Sequence, residues 1–575
     1  MQHFHISKRL TATFDSLALL KLSLTAVLLI CLAACHDSSS GERVSRQDLR
    51  LAQNILADAY GTELALSPQT VSLSGLDTGA ASAALYNLDD HSQAGFERRR
   101  LTRIELLQRL ENRPRLPASL ALETDLSIAA QTLTRVVTLE QTGHGRYSTR
   151  AVYPYTIDPF SGIWIDGIGL LRSSHQIESM ADAEAYLVRL KLLADAIGDA
   201  RRRVIADDAT GYALPKPLLE ATIENIDLLI NDEAAELQTL ITTLSNLTLG
   251  LPDISPLDRR ELINDAETIL NTQIIPAYET LSETLKALVE TAPLQAGLWN
   301  QPSGYETLQK LIRFHLTSDV SLEQAHAQNL KAVGESRAAL EAMLETPEDG
   351  DAPLSLQQLL LLNYAPPEAT ASSEPTPNTA PSPPLRYTPK LAPVSDLEQI
   401  LTGSKTVPAP LRTYIAQRRS DADGAGERTA KQALFPHTAI ASAIHRLSAE
   451  TSPETLEYAH FTLIETLAAT ADSGLNHAKW SFEQTSGYIT EHSGLPRTVA
   501  DNIVIWVAAN PGREIAKLSA YRRLSALSER ARAVLGTRYR HKDFLRVVAE
   551  TGPRPLTMIE ADIERWYAAK LSPAN

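Results

Sequence analysis

The sequence predicts a mostly α-helical protein, a large multi-helix body with little strand. Apolar residues recur at three- and four-residue spacing over long stretches. The composition, 43% hydrophobic but only 5% aromatic, leans on Leu, Ala and Glu, which favour helices. Alternating strand patterns are sparse. At 575 residues the chain is long enough for two or more domains or one large helical body.

The first element is an export signal over residues 1–34. Lys8, Arg9 and Lys21 precede an apolar run from Leu22 to Leu32 that is too short for an ordinary spanning helix. The run closes on Leu32-Ala33-Ala34-Cys35, a match to the bacterial lipobox. Small residues let the backbone enter a peptidase cleft, cleavage falls between Ala34 and Cys35, and the Cys35 thiol is the nucleophile that takes the lipid. Residues 35–45 form a polar, lipidated tether. His36 stands second in the mature chain, where an Asp commonly retains a lipoprotein in the inner membrane, so the expected location is the outer membrane, facing the periplasm.

The two cysteines are Cys31, removed with the signal, and Cys35, acylated. That excludes cysteine catalysis, a thiolate metal site and a disulfide. The net charge is −15, and removing the basic signal makes the body more acidic still. Such a balance argues against a nucleic-acid partner and a broad electrostatic membrane contact. The expected membrane contact is through the lipid on Cys35.

Residues 46–364 read as an N-terminal helical region. The clearest strand candidate is Thr149 to Ile157, a hairpin arm broken by Pro154. Leu219, Ile223, Ile226, Leu229, Leu237, Leu240, Leu244 and Leu247 make one stripe of a long amphipathic helix beginning at Pro217. A second stripe, Leu262, Ala266, Ile269, Leu270 and Ile274, is kinked or restarted by Pro276 before Leu281, Leu285 and Leu288. Ser321 with Gln324 has capping-box spacing, and Ser452-Pro453 offers an N-cap followed by proline. Residues 365–395, rich in Pro, Ser and Thr, read as a linker or loop, and 396–575 as a C-terminal helical region. Arg98-Arg99-Arg100 and Arg201-Arg202-Arg203 read as solvated faces.

In the N-terminal half Tyr153-Pro154, His175 to Ser179, Asp182 to Leu190, Gly211 to Lys216, Ile275 to Tyr278, Pro302 to Tyr305 and Ser321 to His326 follow one another in an order that carries a resemblance. Asp472 to Leu475, Trp480-Ser481, Asn510-Pro511-Gly512, Leu535-Gly536, Pro555-Leu556 and Trp566 continue it. In this ordered set the chain resembles the bacterial "domain of unknown function 885" proteins, often lipoproteins, mostly helical and related to zinc-dependent peptidases. The resemblance implies a zincin-related helical fold. Its chemistry rests on a helix bearing His-Glu and then Pro-Gly-His-His, with a Glu-Gly-Trp downstream: imidazoles a turn apart on one metal ion and a carboxylate to activate water.

Those ligands are missing here. No His is followed by Glu, so there is no H-E-x-x-H. The metal helix aligns with Ser404 to Pro410, and Thr438-Ala439-Ile440 stands for Glu-Gly-Trp. Asn476 replaces a His whose neighbour is now His477. Ile505-Trp506 replaces Arg-Tyr, Arg513 a Gln, Lys517 a Tyr and Leu545 a His. Packing positions survive where polar positions are lost, which implies relaxed demand on catalysis and continued demand on the fold.

The expected vestigial pocket comprises Thr438, Asn476, His477, Lys517 and His326, with Thr438, Asn476 and Lys517 converging. A rebuilt metal site from His437, His445, His460 and His477 with Glu450 and Glu465 is the rival for the chemistry. His437 and His445 are too far apart on one straight helix to share an ion. No Gly-x-Ser-x-Gly elbow supports a serine triad. Ser303-Gly304-Tyr305 is expected to set a chain reversal, and His175 to hydrogen-bond between helices.

The expected protein is a lipid-anchored envelope protein that has lost its metal and catalytic residues and needs no cofactor. It leans away from enzyme activity and binds a peptide or an envelope protein partner. The alternatives are an envelope hydrolase with a rebuilt active site and a purely structural lipoprotein.

Overall fold

The structure is a computed structural model that describes residues 44–73, 83–118, 120–231, 236–345, 438–449, 456–549 and 554–571. Ala34, Cys35, residues 365–395, Ser404 to Pro410, His437, Glu450 and Ser452-Pro453 lie outside the described residues.

The described residues begin with a helical layer of α1 (Arg46–Leu66), α2 (Pro68–Leu73), α3 (Gln93–Glu111) and α4 (Ala121–Glu140). Serines start two of these helices: the Ser45 hydroxyl accepts from Asp48 N at 3.0 Å and the Ser92 hydroxyl from Gly95 N at 3.0 Å, each satisfying a backbone donor that the first turn leaves free. Ala52, Ile55, Leu56 and Ala59 of α1 bury against Leu106, Leu110, Leu126 and Leu133, spaced as one face of each helix.

A two-stranded antiparallel hairpin follows, β1 (Arg146–Tyr147) and β2 (Val152–Tyr153), with Arg146 opposite Tyr153 and Tyr147 opposite Val152. The strand expected from Thr149 to Ile157 is therefore cut to Val152 and Tyr153. Pro154, lacking an N–H, ends the pairing.

Next come α5 (Ile163–Ser173), α6 (Met180–Ala209), α7 (Lys216–Asn231), α8 (Gln238–Leu247), α9 (Pro256–Ile269) and α10 (Ile275–Leu288). The stripe expected to form one helix is divided between α7 and α8. Leu219, Ile223, Ile226, Leu240 and Leu244 are buried, whereas Leu247 is exposed, because α8 restarts its own helical register. The second stripe does run on, through a π-helical turn at Leu270–Ile274. That wider turn accommodates Pro276, which has no N–H to give the preceding turn. At α9 the capping box is complete, Ser255 and Asp258 each accepting from the other's backbone N–H at 3.2 Å.

A 3₁₀ turn (Leu298–Asn300) leads to α11 (Gly304–Leu316) and α12 (Leu322–Glu345). The expected reversal is present: Ser303 is left-handed at φ 51°. A Cβ on Gly304 would lie 1.8 Å from the Leu298 carbonyl oxygen, so only glycine fits. At α12 the Ser321 hydroxyl accepts from Gln324 N at 3.3 Å. The C-terminal helices are α13 (Thr438–Ala449), α14 (Leu456–Asn476), α15 (Phe482–Ser493), α16 (Arg497–Ala509), α17 (Arg513–Leu535), α18 (His541–Ala549) and α19 (Leu556–Leu571).

The regions on either side of residues 346–437 share their cores. One cluster joins Trp164, Tyr186 and Tyr278 to Phe461, Ile503 and Trp506. Another joins Phe96, Leu308 and Ile312 to Ile440, Leu524 and Phe544. Burying both faces of so many helices requires that N- and C-terminal helices interdigitate.

Buried charges were the least foreseen feature. Arg203 is not solvated: it is 3% exposed, donates to Gly145 O at 2.8 Å and lies over the Phe96 ring. Arg103, 1% exposed, makes a bidentate pair with Glu63 at 2.8 and 3.0 Å, and donates to Glu140 and to Tyr147 O. It thereby ties α1, α3, α4 and the hairpin. Arg103→Met is expected to lower unfolding free energy by ~3–5 kcal/mol, because Glu63 and Glu140 lose the buried cation that pairs with both; denaturant titration checks this.

Candidate functional site

Three helices, α13, α14 and α17, meet around a small polar cavity. Ser442 and Arg446, four residues apart, present one face of α13. Glu514, Lys517 and Tyr521, spaced three and four, present one face of α17, and Glu465 projects from α14. The cavity measures about 10 Å³, space for about one water.

Its charges are paired internally. Lys517 Nζ lies 2.7 Å from Glu514 Oε1, which also accepts from Trp506 Nε1 at 3.4 Å. Arg446 Nη1 lies 3.3 Å from Glu465 Oε2, and the guanidinium sits 4.0 Å from the centre of the Tyr521 ring. Two cations and two carboxylates therefore neutralise one another with little solvent. A metal ion bound at either carboxylate would compete with the cation already beside it.

A second polar centre lies where α14 ends. Asp472 is fully buried. Its Oδ1 accepts from Gly512 N at 2.9 Å and Asn476 Nδ2 at 3.0 Å, and its Oδ2 from Glu514 N and Ile515 N, each at 3.1 Å. It thus satisfies the free donors at the start of α17. Burial pushes the carboxyl up, to about 7, against the N–H donors that pull it down. Asn476 in turn accepts from Leu298 N at 2.9 Å. Gly512 is held at φ 82°, and a Cβ there would lie 2.6 Å from Ile312, which explains the glycine of Asn510-Pro511-Gly512.

The five residues expected to line one pocket occupy three settings. Lys517 lines the ion-paired cavity. Thr438 starts α13 one turn before Ser442; its side chain lies outside the described residues. Asn476 is 1% exposed and holds Leu298 and Asp472 together; it approaches the cavity only through Asp472 and the first turn of α17. His477 and His326 sit on the far side of the α14 terminus, with ring centres 6.5 Å apart.

Of the remaining candidate histidines, the side chain of His445 lies outside the described residues, and His175 and His460 are accounted for by packing. His175 accepts from Arg189 at Nδ1 and donates from Nε2 to Asp182 O at 3.0 Å. His460 is 3% exposed, with Nε2 3.3 Å from Ser493 O. Among the described residues no group of three or more His, Cys, Asp or Glu is disposed to hold a metal ion, and no helix is long and apolar enough to cross a membrane. Sequence alone does not mark Arg446, Glu514 and Asp472 as site residues, and it offers Glu465 only within the rebuilt metal site. The available signal was charge interrupting the apolar face of α17, where Glu514 and Lys517 stand among the buried Ile515, Ala516 and Leu518.

The family described as "Bacterial protein of unknown function (DUF885)" matches residues 68–373. The fold is similar to the crystal structure of a "putative lipoprotein" from Colwellia psychrerythraea, with a TM-score of 0.74 and 15% identity, covering 92% of this chain and 100% of that one. It is also similar to a "putative lipoprotein of unknown function" from Shewanella oneidensis, with a TM-score of 0.58 and 13% identity, covering 90% and 99%. No curated protein matches the sequence.

Two outcomes follow from this geometry. Asp472→Asn sets an NH₂ group against backbone N–H donors and is expected to cost ~2–4 kcal/mol in denaturant titration. Burial pulls His460 down to about 4, below the ~6.5 of an unfolded chain. Its neutral form therefore supports folding fully above that value, and this support is lost as pH falls toward 4. Relative to His460→Gln, the wild-type protein should lose about 1.4 kcal/mol of stability per pH unit across that window.

Proposed function

Because this chain belongs to the bacterial family of unknown function DUF885, we propose that it is a lipid-anchored protein of the cell envelope whose folded body acts by binding a peptide or protein partner, without metal-dependent catalysis. The observation that carries the second part is the ion-paired cavity. Lys517, at a position where the family resemblance expects a tyrosine, is paired with Glu514, and Arg446 with Glu465.

Catalysis of the zinc-peptidase kind needs a metal with an open coordination position and a carboxylate free to take a proton. Here the cavity's carboxylates are occupied by cations, and the space beside them holds about one water. The anchoring half of the proposal rests on Leu32-Ala33-Ala34-Cys35 and the polar residues that follow it. It agrees with the lipoprotein descriptions of the two structural relatives. A periplasm-facing outer-membrane location follows from His36 in place of Asp.

Cell fractionation and elemental analysis test both halves. The wild-type protein should partition with membranes and incorporate labelled palmitate, while Cys35→Ser should do neither; palmitate incorporation that survives the substitution overturns the anchor. Full-length protein washed with chelator should hold far less than one zinc per chain. Retained stoichiometric zinc, together with peptide hydrolysis abolished by Lys517 or Glu465 substitution, would instead establish the rebuilt hydrolase.

A further inference from the structure

We propose that a basic corner of the fold, where α17 ends, α18 begins and α19 ends, rests against the anionic headgroups of a phospholipid bilayer. The choice of a bilayer as partner rests on the lipid anchor proposed at Cys35; the charge of the corner does not. From Arg530 to Arg546 the chain carries six Arg or Lys and one carboxylate, Asp543, in a protein of net charge −15. Overall acidity opposes a broad electrostatic contact. A local patch still governs the potential at its own surface, because salt screens charges lying more than about 8–10 Å away.

Contacts between the three elements bring these cations together. Arg538, in the 3₁₀ turn after α17 (Gly536–Arg538), donates to Lys570 O at 2.8 Å. Lys570 Nζ lies 2.5 Å from Asp543, and Arg546 lies 3.8 Å from the same carboxylate. Arg532 stands over the Tyr539 ring at 5.3 Å and Lys570 over the Trp566 ring at 5.1 Å, with the two rings 6.4 Å apart. Half-buried aromatic rings thus form a floor on which the cations stand. The neighbouring carboxylates do not cancel them. Glu564 pairs with Arg530 at 3.9 Å and Asp562 with Arg554 and Arg565; Glu529, one turn before Arg532, is a single opposing charge. Arg532, Arg538, Arg540 and Lys542 are all exposed and form no ion pair among the described residues.

Two features favour a bilayer over a nucleic acid. Val534 and Leu571 are each 43% exposed beside the cations. Val534 lies one turn beyond Arg530, on the face of α17 that meets α19, so the corner offers an interface apolar side chains together with charge. The tether of residues 35–45 spans at most about 40 Å, which keeps the folded body within reach of the headgroups. A polybasic patch complements a lipid chain in this way, each Lys or Arg near an anionic surface strengthening binding roughly fivefold.

The test uses the chain from residue 35 onward with Cys35→Ser, so that no lipid contributes; among the described residues the buried core begins at Ala52. Co-sedimentation is measured with vesicles of phosphatidylcholine alone and of phosphatidylcholine mixed with phosphatidylglycerol, at low and at physiological salt. The protein should bind the mixed vesicles at least about tenfold more tightly than the neutral ones, and less tightly as salt rises. Arg538→Gln, Arg540→Gln and Lys542→Gln together should remove that preference. Arg540→Gln with Lys542→Gln, which keeps the Arg538 contact to α19, should reduce it by roughly fivefold or more. Arg202→Gln, Lys331→Gln and Arg337→Gln, an equal change of charge elsewhere on the surface, should leave it unchanged. Circular dichroism of each variant separates lost binding from lost fold. Equal binding to the two vesicle types, or a preference that survives both sets of patch substitutions, overturns the proposal. So does patch-dependent binding of an RNA oligonucleotide without binding to vesicles. The anchor is decided separately, by palmitate incorporation at Cys35.

Discussion

The buried carboxylate of Asp472 is the contact on which the arrangement of the C-terminal helices depends. It accepts three backbone N–H groups at the start of α17 and one from Asn476. Losing the side chain would leave these buried donors without partners, which is costly whatever the charge on the carboxyl, and the helix terminus adds a favourable field for its ionised form. One side chain of α14 therefore sets both the position and the direction of α17. Asn476 extends the constraint across the body, since its Oδ1 receives the backbone N–H of Leu298, 178 residues earlier. The 3₁₀ turn, α11 and α17 are thus registered against one helix end.

With α17 placed in this way, the charges on its first turns have no choice of partner. Glu514 and Lys517 face α13 and α14, where Arg446 and Glu465 project into the same narrow space. Buried ion pairs add little net stability over well-packed apolar groups, yet removing one partner is costly because the other charge is left bare. The cluster therefore resists stepwise change. Arg103 with Glu63 and Glu140 is its counterpart at the other end of the chain, joining elements that share no sequence neighbourhood.

The motifs that carry the family resemblance act mainly on the backbone. Tyr278 donates its hydroxyl to Trp164 O, His175 bridges Arg189 and Asp182 O, and Gly304 and Gly512 permit approaches that a Cβ would block. Asp472 and Asn476 belong with them. These residues place chain segments in a body that buries most of its helices on more than one side, and none of them needs a ligand to explain its presence.

Local order was written in the sequence. The buried faces of α7 and α9, the turn at Ser303-Gly304 and the start of α12 were legible because spacing, capping and left-handed backbone are decided within one or two helical turns. The π turn before Pro276 and the break between α7 and α8 were not, since a continuous apolar stripe does not record whether the helix beneath it is interrupted. The polar centres were hidden for a stronger reason. Lys517 and Asn476 were visible as departures from a family pattern, but Glu514 and Arg446 carried no signal of their own, and Arg203 read as part of a solvated run. A charge declares its role only through its partner, and partners lying 40 residues apart, as Asp472 and Gly512 do, are selected by which helices meet. The sequence by itself determined the helices, their apolar faces and the lipobox at Cys35. Tertiary structure alone decided which charges were buried together, because desolvation, and with it the need for pairing, exists only after the helices have packed.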